Sequence, residues 1–343
     1  MCNNHKRLLS KLPWFEQKDV PDCLPILSLN SMQNELLQGI PIQTGTTRHK
    51  LKQNLLNGHG LIYIKDHGIC ESELQVLSDT TRGLLLNPNT EFDHFKSKLV
   101  RGYVAFGEEN HGVAVGKGNL PDLCMKYTWG EYANVYPNVD FKKIWDNYFT
   151  KIKHLSSVLL GHIAATMELE GKQKKAFSAA SNGLGMLRYL HYPDINENVG
   201  GVDKERLVNH TDMGLLTILY QTPSLDSHIA LEVKTDQGYI GVPAVRNTLI
   251  VNAGEMLSHL FCREIKAAEH RVVLPTSNSR GISCERDSIA FFLDPDPDVE
   301  INPSDIYGAS LTEQANDLSF KQFFAQVEAN IRGKDNVKAL TAL

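Results

Sequence analysis

His210-Thr211-Asp212-Met213-Gly214-Leu215-Leu216-Thr217-Ile218-Leu219-Tyr220-Gln221 joins a polar His-x-Asp step to an apolar run. Leu216 to Tyr220 reads as a strand. If the chain is already extended at His210, the two-residue period of a strand sets His210 and Asp212 on one face, able to offer a nitrogen and an oxygen to one ion. On a helix the same spacing points the two side chains apart. The chain has 13 histidines, so such a pair also arises as a solvated turn without a metal, and its surroundings have to decide.

Around this stretch the pattern is strand-like: Met186 to Tyr192, Ile229 to Val233, Asn247 to Val251, His270 to Leu274 and Asp287 to Phe292. Glycines, prolines and polar clusters separate the runs, as turns require. Upstream, Leu24 to Leu29 and Leu61 to Ile64 read as short strands, with helical character from Thr46 to Leu56 between them. From Phe141 to Leu169 the period changes. Ile144, Tyr148, Ile152, Leu155, Leu159 and Ile163 recur every three or four residues, predicting a long helix whose apolar face lies on a sheet. Phe320, Phe323, Phe324, Val327 and Ile331 predict a closing helix. The expectation is a mainly β protein with flanking helices, a sheet sandwich or rolled barrel. We read 1–343 as a single unit: a helix-rich N-terminal portion with early strands over 1–180, a strand-rich core over 181–310, and a C-terminal helix and tail over 311–343.

Several function classes fall away. No GxGxxG follows an early strand and no GxxxxGK[ST] is present, which removes dinucleotide-binding and nucleotide-hydrolysing readings. A net charge of -5 with scattered Lys and Arg gives no basic field for nucleic acid. Hydrophobic residues at 42% and charged residues at 22% suit a globule with a sizeable core. No apolar run of about 18 residues and no signal-peptide pattern occurs, which places the expected protein in the cytoplasm, off the membrane. The 6 cysteines form no CxxC pair and read as free thiols.

His270 opens the run His270-Arg271-Val272-Val273-Leu274, and a partner strand can carry it to the His210–Asp212 face. Two imidazoles and one carboxylate suit iron(II), because they hold the ion on one side and leave the opposite positions open. A zinc hydrolase can use the same types, but neither HExxH nor a cysteine ligand pattern is present.

With these residues in place, the chain resembles the 2-oxoglutarate and iron(II)-dependent oxygenases of the isopenicillin N synthase-like class, which includes many enzymes of natural-product biosynthesis. His210 to Gln221 resembles the family's first metal motif and following strand. Asn252-Ala253-Gly254-Glu255 followed by Ala268-Glu269-His270-Arg271-Val272 resembles the approach to the second histidine, with Glu255 where Asp is usual. Arg286-Asp287-Ser288 is similar to the RxS anchor, and Arg188-Tyr189-Leu190-His191-Tyr192-Pro193 to the strand that carries the YP tyrosine. Gly60 to Ile69 and Arg101-Gly102-Tyr103 also look like family segments, so the likeness runs from about Pro25 to about Phe324.

The resemblance implies a double-stranded β-helix, a distorted jelly roll, with helices outside it. It implies that His210, Asp212 and His270 ligate iron(II), and that Tyr192, Arg286 and Ser288 bind the remote carboxylate of 2-oxoglutarate. Dioxygen is then the second co-substrate and ascorbate an accessory reductant. Arg is independently suited to gripping a carboxylate, and a neighbouring hydroxyl adds a donor. Arg188 lies four residues before Tyr192, on the same strand face, and Phe292 alternates with Ser288 and Ala290; both become candidates for contact with a small, carboxylated substrate. His67 reads as a hydrogen-bonded turn residue or a catalytic one, His191 faces the other side of its strand and stays out of the ligand set, and Arg271 reads as structural. Hydroxylation, desaturation and ring closure all stay open, as do an isopenicillin N synthase-type oxidation without 2-oxoglutarate and a non-catalytic binding protein on the same scaffold. A monomer is expected, with an oligomer still open.

Overall fold

The computed structural model describes residues 8–87, 101–114, 121–195, 205–275, 283–296, 300–301, 303–307, 318–319 and 322. Its strands are β1 (Ile26–Ser28), β2 (Leu61–Lys65), β3 (Gly102–Val104), β4 (Met125–Gly130), β5 (Leu184–Tyr192), β6 (Glu205–His210), β7 (Leu216–Gln221), β8 (Leu231–Thr235), β9 (Gly238–Gly241), β10 (Leu249–Ala253), β11 (His270–Val273), β12 (Arg286–Asp294), β13 (Glu300–Ile301) and β14 (Leu318–Ser319), the last two forming a small sheet of their own. The helices are α1 (Leu29–Leu37), α2 (Thr47–Asn57), α3 (Glu71–Leu86), α4 (His111–Ala114), α5 (Val139–Thr166), α6 (Gly171–Ser181), α7 (Glu255–Leu260) and α8 (Pro303–Tyr307). The expected closing helix falls outside the described residues. Among the described residues, no helix is long and apolar enough to cross a membrane.

Two sheets carry the site. The major sheet has the order β1-β2-β10-β7-β12-β5-β4-β3 and the minor sheet β6-β11-β8-β9. Residues of both, among them Leu190, Tyr192, Val233, Val272 and Ala290, share one apolar cluster, so the sheets face each other. The architecture is the α/β elaboration of the double-stranded β-helix. Strands β1 to β4, from the helix-rich first half, extend the major sheet instead of forming a separate layer.

The outer face of the major sheet is covered by helices. Asn138 caps α5, its side chain accepting from Phe141 N at 2.9 Å, a contact typically worth about 1 kcal/mol. The stripe read from the sequence is buried: Tyr148, Ile152, Leu155, Leu159 and Ile163 join the outer cluster, together with Trp145 and Phe149. Strand β12 sorts its side chains by parity. Ile289, Phe291 and Leu293 enter that helix-facing cluster, with Phe291 edge-on to Phe149 at 5.7 Å. Ala290 and Phe292 face the cluster between the sheets.

Strands β3, β4, β6 and β9 were not separable by apolar periodicity. Lys126 and Thr128 of β4 and Arg206 of β6 are buried, so these strands present polar side chains inward and break the hydrophobic alternation. The short edge strand β9 buries none of its residues. The turn after Asp212 depends on two close backbone approaches. A Cβ on Gly214 would overlap Asp294 Oδ1 and Leu293 O, and one on Gly254 would overlap the carbonyl of Gly214. Across this turn Glu255 N donates to Asp212 O at 2.8 Å.

Candidate metal and co-substrate site

His210 ends β6 and His270 begins β11, and the two are direct partners in the antiparallel ladder. Their rings lie 4.3 Å apart. Asp212 follows two residues past the strand end, and one ligand atom from each of the three residues lies within 4.8 Å of the others. Strand alternation predicted that His210 and Asp212 share a face, and the two do converge, although the turn, not the ladder, aims Asp212.

Each side chain is already oriented by its non-coordinating atom. Backbone carbonyls accept from His210 Nδ1 (Val208 O, 2.8 Å) and His270 Nδ1 (Ala268 O, 3.0 Å). A carbonyl only accepts, so these nitrogens carry the protons and each Nε2 presents a lone pair. Both Nε2 atoms face Asp212 Oδ1, at 3.6 and 4.0 Å. Asp212 Oδ2 is occupied, accepting from Thr217 Oγ1 at 2.5 Å and Asn252 Nδ2 at 2.8 Å. Burial, reinforced by His270 and His111, pushes the His210 imidazole well below its ordinary pKa. Burial would raise Asp212, but the two histidines and its two hydrogen bonds outweigh it and hold the carboxyl below its usual value. Two imidazoles held through Nδ1 beside an ionised carboxylate form a donor set that fits a divalent ion with an open face, and the residues present suit iron(II).

A second polar site lies along the inner face of the major sheet. Arg286 pairs in register with Tyr192, and Ser288 with Leu190 and Gln221. Arg286 is 3% exposed. Its guanidinium sits over the Tyr192 ring, 4.9 Å from the centroid, and its Nη2 donates to Gln221 Oε1 at 2.8 Å. Its Nη1 is buried without a partner. Burial lowers the guanidinium below its ordinary pKa, the mark of a desolvated cation that a carboxylate ligand would satisfy. Burial also lifts the Tyr192 phenol, which keeps its proton and remains a donor. The remote carboxylate of a keto diacid fits here.

Arg188 shares the inner face of β5 with Tyr192. Its Nη1 is paired with Glu109 Oε2 at 3.1 Å and its Nε donates to Thr128 Oγ1 at 3.2 Å. Phe292 is half-buried on the same side. His191, Arg271 and His67, left outside the ligand set, each have a partner elsewhere. His191 meets Asp287 at 2.7 Å on the outer side. Arg271 bridges Glu205 and Glu232 and covers the Tyr239 ring at 3.9 Å. His67 Nδ1 accepts from Ile69 N at 3.2 Å.

Several neighbours were not foreseen. Thr217, Asn252 and Gln221 are polar residues inside apolar strands, a signal that was there to read. Arg206 is 1% exposed and sits over the Tyr192 ring at 5.2 Å. His111 packs edge-on against His210 at 4.5 Å. Its segment carries no periodic pattern that would have announced it.

Facing sheets that converge two imidazoles and a carboxylate beside a buried guanidinium with one unpartnered nitrogen define a mononuclear non-haem metal enzyme of the double-stranded β-helix class. The family model described as the 2OG-Fe(II) oxygenase superfamily matches residues 183–295, from the start of β5 to just past β12. The proline hydroxylase buaE of Petromyces alliaceus is 31% identical over 264 residues, covering 71% of this chain and 79% of that protein. The chain belongs to the 2OG-Fe(II) oxygenase superfamily, whose reaction uses iron(II) and 2-oxoglutarate. Deacetoxycephalosporin C synthase of Amycolatopsis lactamdurans is 27% identical over 203 residues, 59% of this chain, and the match spans 64% of that enzyme, less than two thirds. The crystal structure of a full-length Neurospora crassa protein in complex with alpha-KG superposes with a TM-score of 0.71 at 25% identity, covering 89% of this chain and 96% of that one.

Proposed function

We propose that this oxygenase removes hydrogen from an unactivated C–H bond of a small, carboxylated biosynthetic metabolite in the cytoplasm, acting as a monomer and as one catalytic unit over 1–343. The observation that carries the reading is the division of labour in the triad: every non-coordinating atom of His210, Asp212 and His270 is tied to the protein, and every coordinating atom converges. The proline hydroxylase among the relatives supports a small substrate with a carboxylate.

In this reading His210 Nε2, His270 Nε2 and Asp212 Oδ1 hold iron(II). Iron(II) bound there would, with 2-oxoglutarate and dioxygen, supply the oxidising power: one oxygen atom would enter succinate as the co-substrate loses carbon dioxide, the other would leave in the hydroxylated product or as water, and ascorbate would serve as an accessory reductant. Arg286 Nη1 and the Ser288 and Tyr192 hydroxyls take the remote carboxylate, orienting the keto acid end toward the triad. Phe292 shields the reacting carbon from water, and Arg188 receives a charged group of the substrate. Thr217 and Asn252 keep Asp212 ionised and aimed.

Stoichiometric succinate release with oxidised substrate is the test. Substrate oxidised without succinate returns the chain to the isopenicillin N synthase type, and iron-independent ligand binding without oxygen use returns it to a binding protein.

A further inference from the structure

Beside the triad, at the β4–β5 side of the inner face, lies a compact group of opposite charges. Lys126, 1% exposed, is paired with both Asp122 and Glu109, the latter at 2.5 Å. Glu109 also bridges to Arg188 at 3.1 Å. His111, whose backbone N donates to Asp122 at 2.9 Å, joins this group to His210. Both ends of the set are ionised. Arg188 and Lys126 outweigh burial and hold Glu109 below its usual range, and the carboxylates and Cys124 keep Lys126 above its own against burial.

The register separates this group from the co-substrate pocket. Arg286 lies opposite Tyr192, while Arg188 lies opposite Ala290 and Thr128. The four-residue offset is about 13 Å along the strands. With 2-oxoglutarate reaching from Arg286 to the metal, Arg188 is left for a different ligand. Two cations, Lys126 and Arg188, face two anions, Asp122 and Glu109, so the group is neutral overall. An anion that enters alone has to draw Arg188 from Glu109, which is then left to Lys126, so one ion pair is lost for the one gained. A ligand that brings its own ammonium replaces one ion pair with two. Glu109 and Arg188 are the members with solvent access, at 25% and 14% side-chain exposure, while Lys126 and Asp122 stay fixed behind them at 2% and 3%.

We propose that the substrate is a zwitterion, an α-amino or imino acid, whose carboxylate is taken by Arg188 and whose ammonium is taken by Glu109, with Lys126 and Asp122 as the rigid frame of the clamp. The proposal rests on the oxygenase reading above and names the substrate class of that same site. It makes Glu109 a specificity-determining residue alongside Arg188, and it accounts for a buried-side ion pair that the iron chemistry does not use.

The enzyme loaded with iron(II) and 2-oxoglutarate under nitrogen would be titrated calorimetrically with the protein L-amino acids, L-proline included. Each is compared with its N-acetyl derivative and its decarboxylated amine. At least one amino acid is expected to bind, with both mutilated counterparts at least tenfold weaker, and the same compound should trigger succinate release in air. Glu109→Gln should abolish discrimination against the N-acetyl derivative, and Arg188→Met discrimination against the amine, each with unchanged iron and 2-oxoglutarate affinity. A variant that lowers Tm while leaving both discriminations intact marks the pair as structural and overturns the proposal. So does failure of every amino acid to bind a wild-type enzyme that still binds iron and 2-oxoglutarate. Failure to bind iron or 2-oxoglutarate at all overturns instead the functional reading beneath it.

Discussion

At His210 and Asp212 the ligand atoms are separated from the atoms that hold them in place. Removing either side chain deletes a coordinating atom without opening the apolar core, because both sit at the seam between sheets. His210→Ala and Asp212→Ala should fold, with iron affinity and turnover lost together. Metal content after desalting checks this, and near-wild-type turnover in either variant with verified iron would sink the triad assignment. Arg286 allows a graded test. Arg286→Gln removes the charge and the unsatisfied Nη1, and should weaken 2-oxoglutarate by about 2 kcal/mol, roughly thirtyfold in Kd, with iron binding retained. Ser288→Ala, which removes one neutral donor, should cost about 1 kcal/mol, roughly fivefold. Unchanged co-substrate affinity in Arg286→Gln would place the anchor elsewhere.

Strand β12 is where parity becomes function. Its inner side carries Arg286, Ser288, Ala290 and Phe292, and its outer side carries Ile289, Phe291 and Leu293. Adjacent phenylalanines should therefore respond in opposite ways. Phe291→Ala empties a fully buried site against Phe149 and should cost about 3–5 kcal/mol of stability with little change in 2-oxoglutarate affinity. Phe292→Ala should leave Tm nearly unchanged and raise the ratio of succinate to oxidised substrate, since water reaches the reacting carbon. Denaturation and uncoupling assays read the two arms; equal stability losses would show that the alternation does not divide core from chamber. The same parity explains what could be read in advance. The α5 stripe follows a simple period, so the helix was legible; Arg286, Ser288 and Tyr192 were singled out by their resemblance to the family's RxS and YP segments, since period alone gives only a strand face. Lys126, Arg206 and Glu109 were not, because a buried charge breaks the hydrophobic pattern and acquires meaning only from a partner distant in sequence, such as Glu109 for Arg188.

Across the whole molecule, burial holds several histidines neutral away from the metal. His67, His162 and His228 are all lowered from 6.5, chiefly by desolvation. The unfolded chain takes protons at about pH 6.5 that the folded chain refuses until lower pH, so stability is full above that value and falls as pH drops through it. Tm should decline from pH 7.5 to pH 5.5, less steeply than the three rings alone would give, because the buried Asp294 carboxyl, lifted to about 7, takes up its proton over the same window and opposes them; a Tm that rises over that window would contradict the burial assigned to these rings. The orientation of the triad carries one more consequence. Its imidazoles belong to the minor sheet, on β6 and β11, while its carboxylate is gripped by Thr217 of β7 and Asn252 of β10 in the major sheet. A bound ion is thus a rivet through both layers, and its loss should loosen a seam rather than a loop. Stripping iron with a chelator should speed amide exchange selectively in β6 and β11, leave β12 and α5 protected, and lower Tm by the amount that mass action assigns to the vacated metal. Iron supply would then govern how much of this protein survives in the cell as well as how fast it works, tying its abundance to the same ion that powers it.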